Sequence, residues 1–399
     1  MKAAWEALKR RQIEKLLPAL SLNPPLPSCV SLGTQVLQQQ PAAAEALRRA
    51  ADIEQQLQAA TLGRNISSLS PSELKGLDWS LLDAARALNP EVSAVAKYLL
   101  QVPSKRFRPL LLLLLHRALQ HCVPAQDRDS SSSKEVLPLI MVPVAELIHT
   151  ATLMHDDVLD EAPTRRGRTS APFAFGSKKA VLGGDFLLAR ASSIAATAGY
   201  PEVCFRVAQA VENLVTGELL QALTKTSDIA KAFEALLAKS YCKTGSLMAE
   251  TCACLAVLGG YSRAWVRWSH DLGAAVGLAF QLLDDEADLL ASAQTLGKPS
   301  NSDLRNGIAT APLLLAAQEH PQQLLPLLQR QLKGEGDPDL AAAKIREGAA
   351  LPRARLLSRV YIHHVLQLLQ QLPRETQQQQ NAAADLAALL QWITQRSSK

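Results

Sequence analysis

Aromatic side chains are scarce in this sequence, and so are the alternating apolar and polar patterns that mark β-strands. Phe, Trp and Tyr together make up 4% of the 399 residues. Strands are enriched in aromatic and β-branched residues, so this shortage argues against a fold built on sheets. Leu, Ala, Gln, Glu, Lys and Arg dominate instead, and most of these favour helices. The composition therefore predicts an all-α fold.

Long apolar runs, paired cysteines and basic tracts are missing as well. No apolar stretch reaches the roughly 18 to 20 residues that a membrane-spanning helix needs. A net charge of +5, without a basic run interleaved with aromatics, argues against a nucleic-acid partner. The cysteines show no CxxC pair and no zinc-like spacing, which predicts reduced core thiols in an intracellular compartment. They are Cys29, Cys122, Cys204, Cys242, Cys252 and Cys254.

By composition the chain divides into three parts. Residues 1–45 combine a basic, leucine-rich start with prolines and glutamines, and we expect a poorly ordered leader. Its start is typical of a mitochondrial or plastid transit segment, but Glu6 and Glu14 are unusual there, so an amphipathic surface helix is an equal interpretation. Residues 46–79 are expected to form a helical extension. Residues 80–399 are expected to form a single all-α domain.

The pattern Asp-Asp-x-x-Asp occurs twice, each time late in an apolar, helix-like segment. Three carboxylates crowded at one helix end repel one another and lose solvation, so a folded protein keeps them where positive charge is bound. Two facing clusters predict a cage for divalent cations that a polyanion bridges. For a single copy, a surface patch of salt bridges would be the simpler interpretation. The copies are Asp156, Asp157 and Asp160, and Asp284, Asp285 and Asp288.

Helical spacing orders the side chains around the first copy. His149, Asp156 and Asp160 share one helix face, whereas Asp157 is rotated about 100° away and is expected to play a supporting role. Pro163 is expected to end the helix.

Two arginines, Arg165 and Arg166, follow in a loop. Guanidinium forks match phosphate oxygens, and Mg²⁺ binds a few carboxylates together with substrate phosphates. Carboxylates and arginines at one helix end therefore predict a joint site for Mg²⁺ and diphosphate. The second segment repeats the logic, because one helix face again carries Gln281, Asp284, Asp285 and Asp288.

In an ordered series of segments the chain resembles the trans-type polyprenyl diphosphate synthases, above all the long-chain solanesyl and decaprenyl diphosphate synthases of quinone pathways. The resemblance extends from about Leu99 to Ala317. KRFRP or KTG alone would be a weak signal, but the ordered set is specific. The matching segments are KRFRPLLLLL (105–114), the first aspartate motif with its flanks (146–170), GGDFLLARA (183–191), GELLQ (217–221), KTGSL (243–247), FQLLDDEADLL (280–290) and LGKPSNSDLRNGIATAPLLLA (296–316).

The resemblance implies a fold, a cofactor and a set of site residues. The implied fold is the isoprenoid synthase fold, a bundle of roughly ten or more helices around a central cavity, with residues 80–399 as catalytic domain. The implied cofactor is Mg²⁺, roughly two or three ions. The implied metal ligands are Asp156 and Asp160 on one wall and Asp284 and Asp288 on the other. The residues implied to bind the allylic diphosphate are Arg165, Lys243 and Lys298, with Gln281 nearby. Those implied to bind isopentenyl diphosphate are Lys105, Arg106 or Arg108, His149 and Arg166. The residues implied to take part in catalysis are Asp156, Asp157, Asp160, Lys243, Thr244, Gln281, Asp284 and Asp285.

The implied reaction is the head-to-tail condensation of isopentenyl diphosphate onto an allylic diphosphate. The allylic C–O bond ionises, the double bond of isopentenyl diphosphate attacks the cation, and a proton is lost. No protein nucleophile is needed, because positioning and electrostatic stabilisation lower the barrier. Thr244 and Gln281 would offer dipoles to the cation. The growing tail requires an apolar tunnel that leads away from the metals.

Two small residues bear on the length of the product. Residues one helical turn before Asp156 are expected to point down this tunnel, and short-chain relatives carry bulky aromatics there. This chain has Ala151 and Thr152. The resemblance therefore implies a long product of about C30 to C50, typical of the side chain of ubiquinone or another quinone. Replacing Ala151 with Phe would then shorten it.

The chain departs from the family pattern at two positions. Ser104 stands where relatives have Gly, and Ile308 stands where many have Lys, so one phosphate contact differs. Long-chain members of quinone pathways resemble this chain at the second position. That likeness favours a mitochondrial enzyme, with a plastid enzyme as the alternative.

Three rival interpretations stand beside this one, and one of them, a helical scaffold without a catalytic function, leaves the twin motifs unexplained. A class I terpene cyclase shares DDxxD and Mg²⁺ but usually lacks the second motif and the Lys-Arg pocket. A non-catalytic subunit of a heteromeric synthase would be expected to have eroded aspartates, yet all six persist. The partners that the resemblance implies are the two diphosphate substrates, a second subunit in a homodimer or a heteromer, and peripheral membrane contact.

Overall fold

The computed structural model describes residues 26–64, 81–102, 104–127, 137–223, 228–290 and 301–397. Most of these residues are helical, which confirms the all-α prediction. No helix in these ranges combines the length and the apolar character that crossing a bilayer requires. The α-helices are α1 Leu32–Gln39, α2 Ala43–Ala60, α3 Pro90–Tyr98, α4 Phe107–Cys122, α5 Met141–Leu159, α6 Ala171–Phe175, α7 Ser177–Ala196, α8 Pro201–Leu223, α9 Ile229–Ser240, α10 Ser246–Leu258, α11 Arg263–Leu290, α12 Ser302–Arg305, α13 Ala311–Glu319, α14 Pro321–Gln329, α15 Asp337–Glu347, α16 Ala350–Gln370 and α17 Gln377–Ser397. Short 3₁₀ turns lie at Ser28–Ser31, Ala125–Asp127 and Leu137–Ile140, and a π-helical turn lies at Tyr241–Gly245.

A central helix organises the bundle. Nearly every residue of α10 is buried, as expected for a helix that is apolar on all sides. It packs along α11 and against α8, while α5 packs against α7 and α4 against α17. The two aspartate motifs therefore lie on long helices, α5 and α11, that belong to one core.

The helix with the first motif begins and ends as its sequence predicts. Pro143 lies in the first turn of α5, where the missing N–H costs no intrahelical hydrogen bond. The helix stops at Leu159, before Pro163, and the Asp160 N–H donates to the Asp156 carbonyl at 2.8 Å.

A two-stranded hairpin follows α5. Strands β1 Thr164–Arg165 and β2 Arg168–Thr169 pair antiparallel, with Thr164 opposite Thr169. Arg166 and Gly167 between them have φ values of 52° and 74°, as in the tight turns that match strand twist. Arg166 thus occupies a backbone region that non-glycine residues rarely adopt.

The N-terminal helices pack into the same core. Val30, Leu37 and Leu57 are buried, α2 lies against α16, and the Tyr361 hydroxyl donates to the Val30 carbonyl at 2.9 Å. Residues 28–39 thus differ from the poorly ordered leader expected from their composition, because their apolar side chains find partners far along the chain. The division at residues 45 and 79 stays a prediction, and residues 1–25 lie outside the described ranges.

Candidate active site

Both aspartate motifs open onto one cavity of about 870 Å³. From α5 comes Asp156, and from α11 come Asp284, Asp285 and Asp288. Asp160 is exposed at the cap of α5. The fold therefore places two acidic helix segments, 128 positions apart by residue number (284 minus 156), across a single space.

The surroundings of Asp156 disfavour its ionised form. Burial, together with the Glu218 and Asp160 carboxylates, raises the pKa of Asp156 to about 6, against the opposing charge of Lys243. A cation bound next to Asp156 would stabilise its ionised carboxylate. No three acidic, histidine or cysteine side chains of the described ranges converge closely enough to hold a metal alone. An ion here would complete its coordination with phosphate oxygens and water, as Mg²⁺ commonly does.

Asp157 faces away from the cavity. It is fully buried, and its Oδ1 accepts a hydrogen bond from the Arg165 Nε at 2.7 Å. Burial raises the pKa of Asp157, although the hydrogen bond and the charge of Arg165 oppose the shift. Asp157 therefore fixes the direction of Arg165, which lines the cavity. The supporting role expected for Asp157 stays a prediction.

A cationic wall lies beside the first motif. Lys105, Arg106, Arg108, His149 and Arg166 all line the cavity. Burial and the neighbouring arginines, Arg108 first among them, hold the pKa of His149 well below its usual value. The imidazole is therefore neutral near pH 7 and offers one N–H donor without adding charge.

The two arginines left open as alternatives differ in their contacts. Arg106 Nη1 donates to Glu146 Oε1 at 2.7 Å, and its Nη2 donates to the Leu100 carbonyl at 2.7 Å. Arg108 Nε is buried and has no hydrogen-bond partner in the described part of the chain. Burial lowers the pKa of Arg108 to about 10. Arg108 is thus the cation that a bound anion would satisfy, whereas Arg106 is held by Glu146.

A hydrogen-bonded series joins the π-helical turn to the second motif. The Thr244 hydroxyl donates to Gln281 Oε1 at 2.7 Å, and Gln281 Nε2 donates to Asp285 Oδ1 at 3.0 Å. Burial and Asp303 raise the pKa of Asp285 to about 7. A Cβ on Gly277 would lie 2.5 Å from the Gly245 Cα, so only glycine allows this approach of α11 to the turn.

Lys243 is paired rather than isolated. Its Nζ donates to Glu218 Oε2 at 2.5 Å, and both side chains line the cavity. Burial opposes the charge of Lys243, but Asp156 and Glu218 raise its pKa. Lys243 therefore stays protonated next to the first motif and can exchange its carboxylate partner for a phosphate oxygen.

The two residues expected to set the length of the product, Ala151 and Thr152, differ in their position relative to the cavity. Thr152 lines the cavity, and its hydroxyl donates to the His149 carbonyl at 2.8 Å. Ala151 is fully buried and is not among the described residues that line this cavity, so its expected place in the tunnel stays a prediction. The apolar part of the lining consists of Phe107, Leu153, Leu159, Leu188, Val211, Leu214, Val215, Leu219, Phe280 and Ala287. Lys298 lies outside the described residues.

Several residues of the site were given no role by the sequence patterns. Asp303 lines the cavity, and its N–H donates to Asp288 Oδ2 at 3.1 Å. Its position in the matching segment 296–316 was the available signal. Phe107 stacks on Phe280 with centroids 4.9 Å apart, and Lys105 Nζ lies 5.7 Å from the Trp392 ring centroid. No local pattern pointed to this contribution from α17.

Comparisons with known proteins agree with the geometry. The family model described as polyprenyl synthetase matches residues 89–344. The mitochondrial solanesyl-diphosphate synthase 1 of Oryza sativa subsp. japonica is 35% identical over an alignment of 339 positions, which covers 81% of this chain and 77% of that protein. The probable mitochondrial hexaprenyl pyrophosphate synthase of Neurospora crassa is 34% identical over an alignment of 345 positions, which covers 76% of this chain and 77% of that protein.

A solved structure supports the same relationship. The polyprenyl synthase of Caulobacter crescentus CB15, crystallised with calcium and isoprenyl diphosphate, is 28% identical. The superposition covers 83% of this chain and 97% of that chain, with a TM-score of 0.69.

Proposed function

The chain belongs to the polyprenyl synthetase family and is a prenyltransferase, and we propose that it extends an allylic diphosphate with isopentenyl diphosphate to a long all-trans polyprenyl diphosphate. The observation that carries the proposal is the meeting of two aspartate motifs, a cationic wall and an apolar wall in one cavity. The relatives named above are long-chain synthases, so a terpene cyclase is not favoured.

The donor set suits a hard divalent cation. The proposed Mg²⁺ ligands are Asp156 and Asp160 on α5 and Asp284 and Asp288 on α11, all of which offer carboxylate oxygens. Bound Mg²⁺ would neutralise the allylic diphosphate and make it a better leaving group. Asp285, held by Gln281, and Asp303, bonded to Asp288, would keep the second wall in place.

The two substrates are assigned to different parts of the cavity. The allylic diphosphate would bind Arg165 and Lys243, together with Lys298 as the family resemblance implies. Isopentenyl diphosphate would bind the cationic wall, where Lys105, Arg108, His149 and Arg166 supply donors. Arg106 would support that wall through Glu146. The positive side chains would then reduce the electrostatic repulsion between the two diphosphates, which could lie side by side.

The protein's part in the chemistry is to orient the substrates and exclude water. Because the Thr244 hydroxyl donates to Gln281, its oxygen lone pairs remain for a developing allylic cation. The departing diphosphate, rather than a side chain, would accept the proton that the new C–C bond releases. The apolar lining around Leu188 and Leu214 would take the tail and keep water from the cation.

The product and the location follow from the relatives. Both relatives named above are mitochondrial in name, and we place this enzyme in mitochondria. We propose that its long product becomes the side chain of ubiquinone or another quinone.

An exposed apolar face suggests how subunits associate. Helices α7 and α8 pack side by side, and Leu182, Phe205, Val215 and Leu219 on them are 53% to 63% exposed. Val215 and Leu219 also line the cavity. We propose that a second subunit, either another copy or a different synthase chain, covers this face. Multi-angle light scattering of wild type and F205D, each alone and mixed with candidate partner subunits, checks it. An assembly that F205D abolishes supports the proposal, and a wild-type chain that stays monomeric in every sample contradicts it.

One incubation tests the proposed reaction. Radiolabelled isopentenyl diphosphate, farnesyl diphosphate and Mg²⁺ are mixed with the protein, and the extracted lipid is dephosphorylated and sized. We expect labelled polyprenols longer than the primer by many C5 units, and none from D156N or D284N. Absence of a labelled lipid from wild type and from its mixtures with candidate partner subunits would contradict the function.

A further inference from the structure

Glu286 lies inside the second aspartate motif but faces away from the cavity. Successive residues of an α-helix are about 100° apart, so Glu286 points roughly 200° from both Asp284 and Asp288. Glu286 is 1% exposed, whereas Asp284 and Asp288 line the cavity. It therefore lies on the back of α11, opposite the carboxylates proposed to bind metal.

Two arginines of α16 hold this buried carboxylate. Arg355 Nε donates to Glu286 Oε1 at 2.9 Å, and Arg359 Nη1 donates to Glu286 Oε2 at 3.0 Å. Arg359 is itself 1% exposed, and its Nε donates to Glu54 Oε1 of α2 at 2.8 Å. Two carboxylates and two guanidinium groups thus balance one another behind the motif.

A buried ionic contact of this kind is directional, unlike an apolar contact. A buried charge is tolerated only where its charged partners are correctly placed. Rotation of α11 would therefore leave Glu286 or Arg359 buried without its partner. Bonds to both carboxylate oxygens restrict the rotation further. On the cavity side, the Asp303 N–H donates to Asp288 Oδ2 at 3.1 Å.

We infer that Glu286 and Arg359 are positioning residues that set the rotation of α11 and so direct Asp284 and Asp288 toward the metals. The inference rests on the proposed function. It also assigns a purpose to the N-terminal helix α2, because Glu54 completes the pairing of Arg359. Neither residue touches substrate; each acts through the backbone of α11.

The test separates metal binding from stability. Inorganic diphosphate is titrated calorimetrically into wild type, E286Q and R359K at a series of Mg²⁺ concentrations. At limiting Mg²⁺ we expect E286Q to bind diphosphate about tenfold more weakly, since misdirected metal ligands typically cost that much affinity. Saturating Mg²⁺ should restore wild-type affinity. R359K keeps the charge but loses the forked geometry, so its loss should be intermediate. R359K also serves if E286Q does not fold.

The matched control is D337N. Asp337 is 3% exposed and paired with Arg330 at 2.6 Å, but it lies on α15, and neither residue belongs to α11. We expect D337N to lose thermal stability and keep the Mg²⁺ dependence of wild type. Wild-type Mg²⁺ dependence in folded E286Q and R359K would overturn the inference alone. If the affinity of wild type for diphosphate did not depend on Mg²⁺, that result would instead contradict the proposed function.

Discussion

The Arg165 guanidinium lies on the buried Asp157 carboxylate, with Nε 2.7 Å from Oδ1, so the middle aspartate of the first motif binds a protein cation. The adjacent Asp156 faces the cavity. Two consecutive carboxylates thus have different contacts because they point in different directions around the helix axis.

This division predicts different kinetic effects at the two positions. D157N should raise the KM for the allylic diphosphate about tenfold while product still forms, because Arg165 loses a charged partner worth roughly 1.5 to 3 kcal/mol. D156N should abolish turnover. Steady-state kinetics of both variants with farnesyl diphosphate checks this. Complete loss of activity in a folded D157N would mean that Asp157 binds metal directly.

Arg106 and Arg108 are expected to respond in opposite ways. R106A should lower the free energy of unfolding by about 3 to 5 kcal/mol, because it leaves buried Glu146 without its cation. R108Q should change that free energy by less than about 1 kcal/mol, since the Arg108 Nε has no hydrogen-bond partner in the described ranges.

The same pair should separate in substrate binding. R108Q removes a charged donor from the cationic wall, so we expect the KM for isopentenyl diphosphate to rise about tenfold to a hundredfold. Chemical denaturation and steady-state kinetics measure the two effects. A stable R106A together with an unchanged KM in R108Q would reverse the assignment.

Product length should depend on Thr152 rather than on Ala151. Thr152 lines the cavity, so T152F should block the tunnel one turn below Asp156 and shorten the product by at least one C5 unit. T152V has nearly the same size and should leave the length unchanged. A151F places a ring in a fully buried site and should cost about 1 to 3 kcal/mol of stability. Chromatography of dephosphorylated products decides; a shortened product from folded A151F with wild-type length from T152F would contradict this geometry.

The stability of the bundle should depend on pH through His270. Burial alone would lower the pKa of His270, but hydrogen bonds to Asp271 and Glu250 raise it to about 9 from the model-peptide value of 6.5. Protonated His270 therefore stabilises the fold fully below about pH 6.5, and this contribution disappears as pH rises through 9.

The comparison of wild type with H270Q isolates this contribution. H270Q should be less stable than wild type by roughly 1 to 3 kcal/mol near pH 6, and the difference should shrink by about pH 10. Urea denaturation at a series of pH values measures it. A difference that stays constant with pH would show that packing, rather than charge, is lost.

Local patterns were enough for the elements and their chemistry. Apolar periodicity and helix-favouring residues predicted α5 and α11, and Pro163 predicted the end of α5, because these depend on neighbours within a few turns. The rotation of Asp157 away from Asp156 likewise follows from helix geometry. The twin motifs and the arginines between them already indicated a metal and a diphosphate.

Contacts between distant segments were beyond such reasoning. Glu286 and Arg359 are 73 positions apart, and Arg359 and Glu54 are 305 apart. Trp392 of α17 reaches Lys105 in the same way. The burial of Val30, Val36 and Leu37 also requires partners on other helices, which composition alone does not identify.

By itself the sequence determined the helices, the two acidic faces and the kind of ligand they attract, since each depends on spacing along one helix. Only the tertiary structure placed Arg106 against Glu146, left the Arg108 Nε without a hydrogen-bond partner in the described residues, and brought Thr152 to the cavity. The contact of Glu286 with Arg359 behind α11 likewise depends on the tertiary structure. The physical reason is that burial and pairing depend on which helices pack together, and packing joins residues that no local pattern relates.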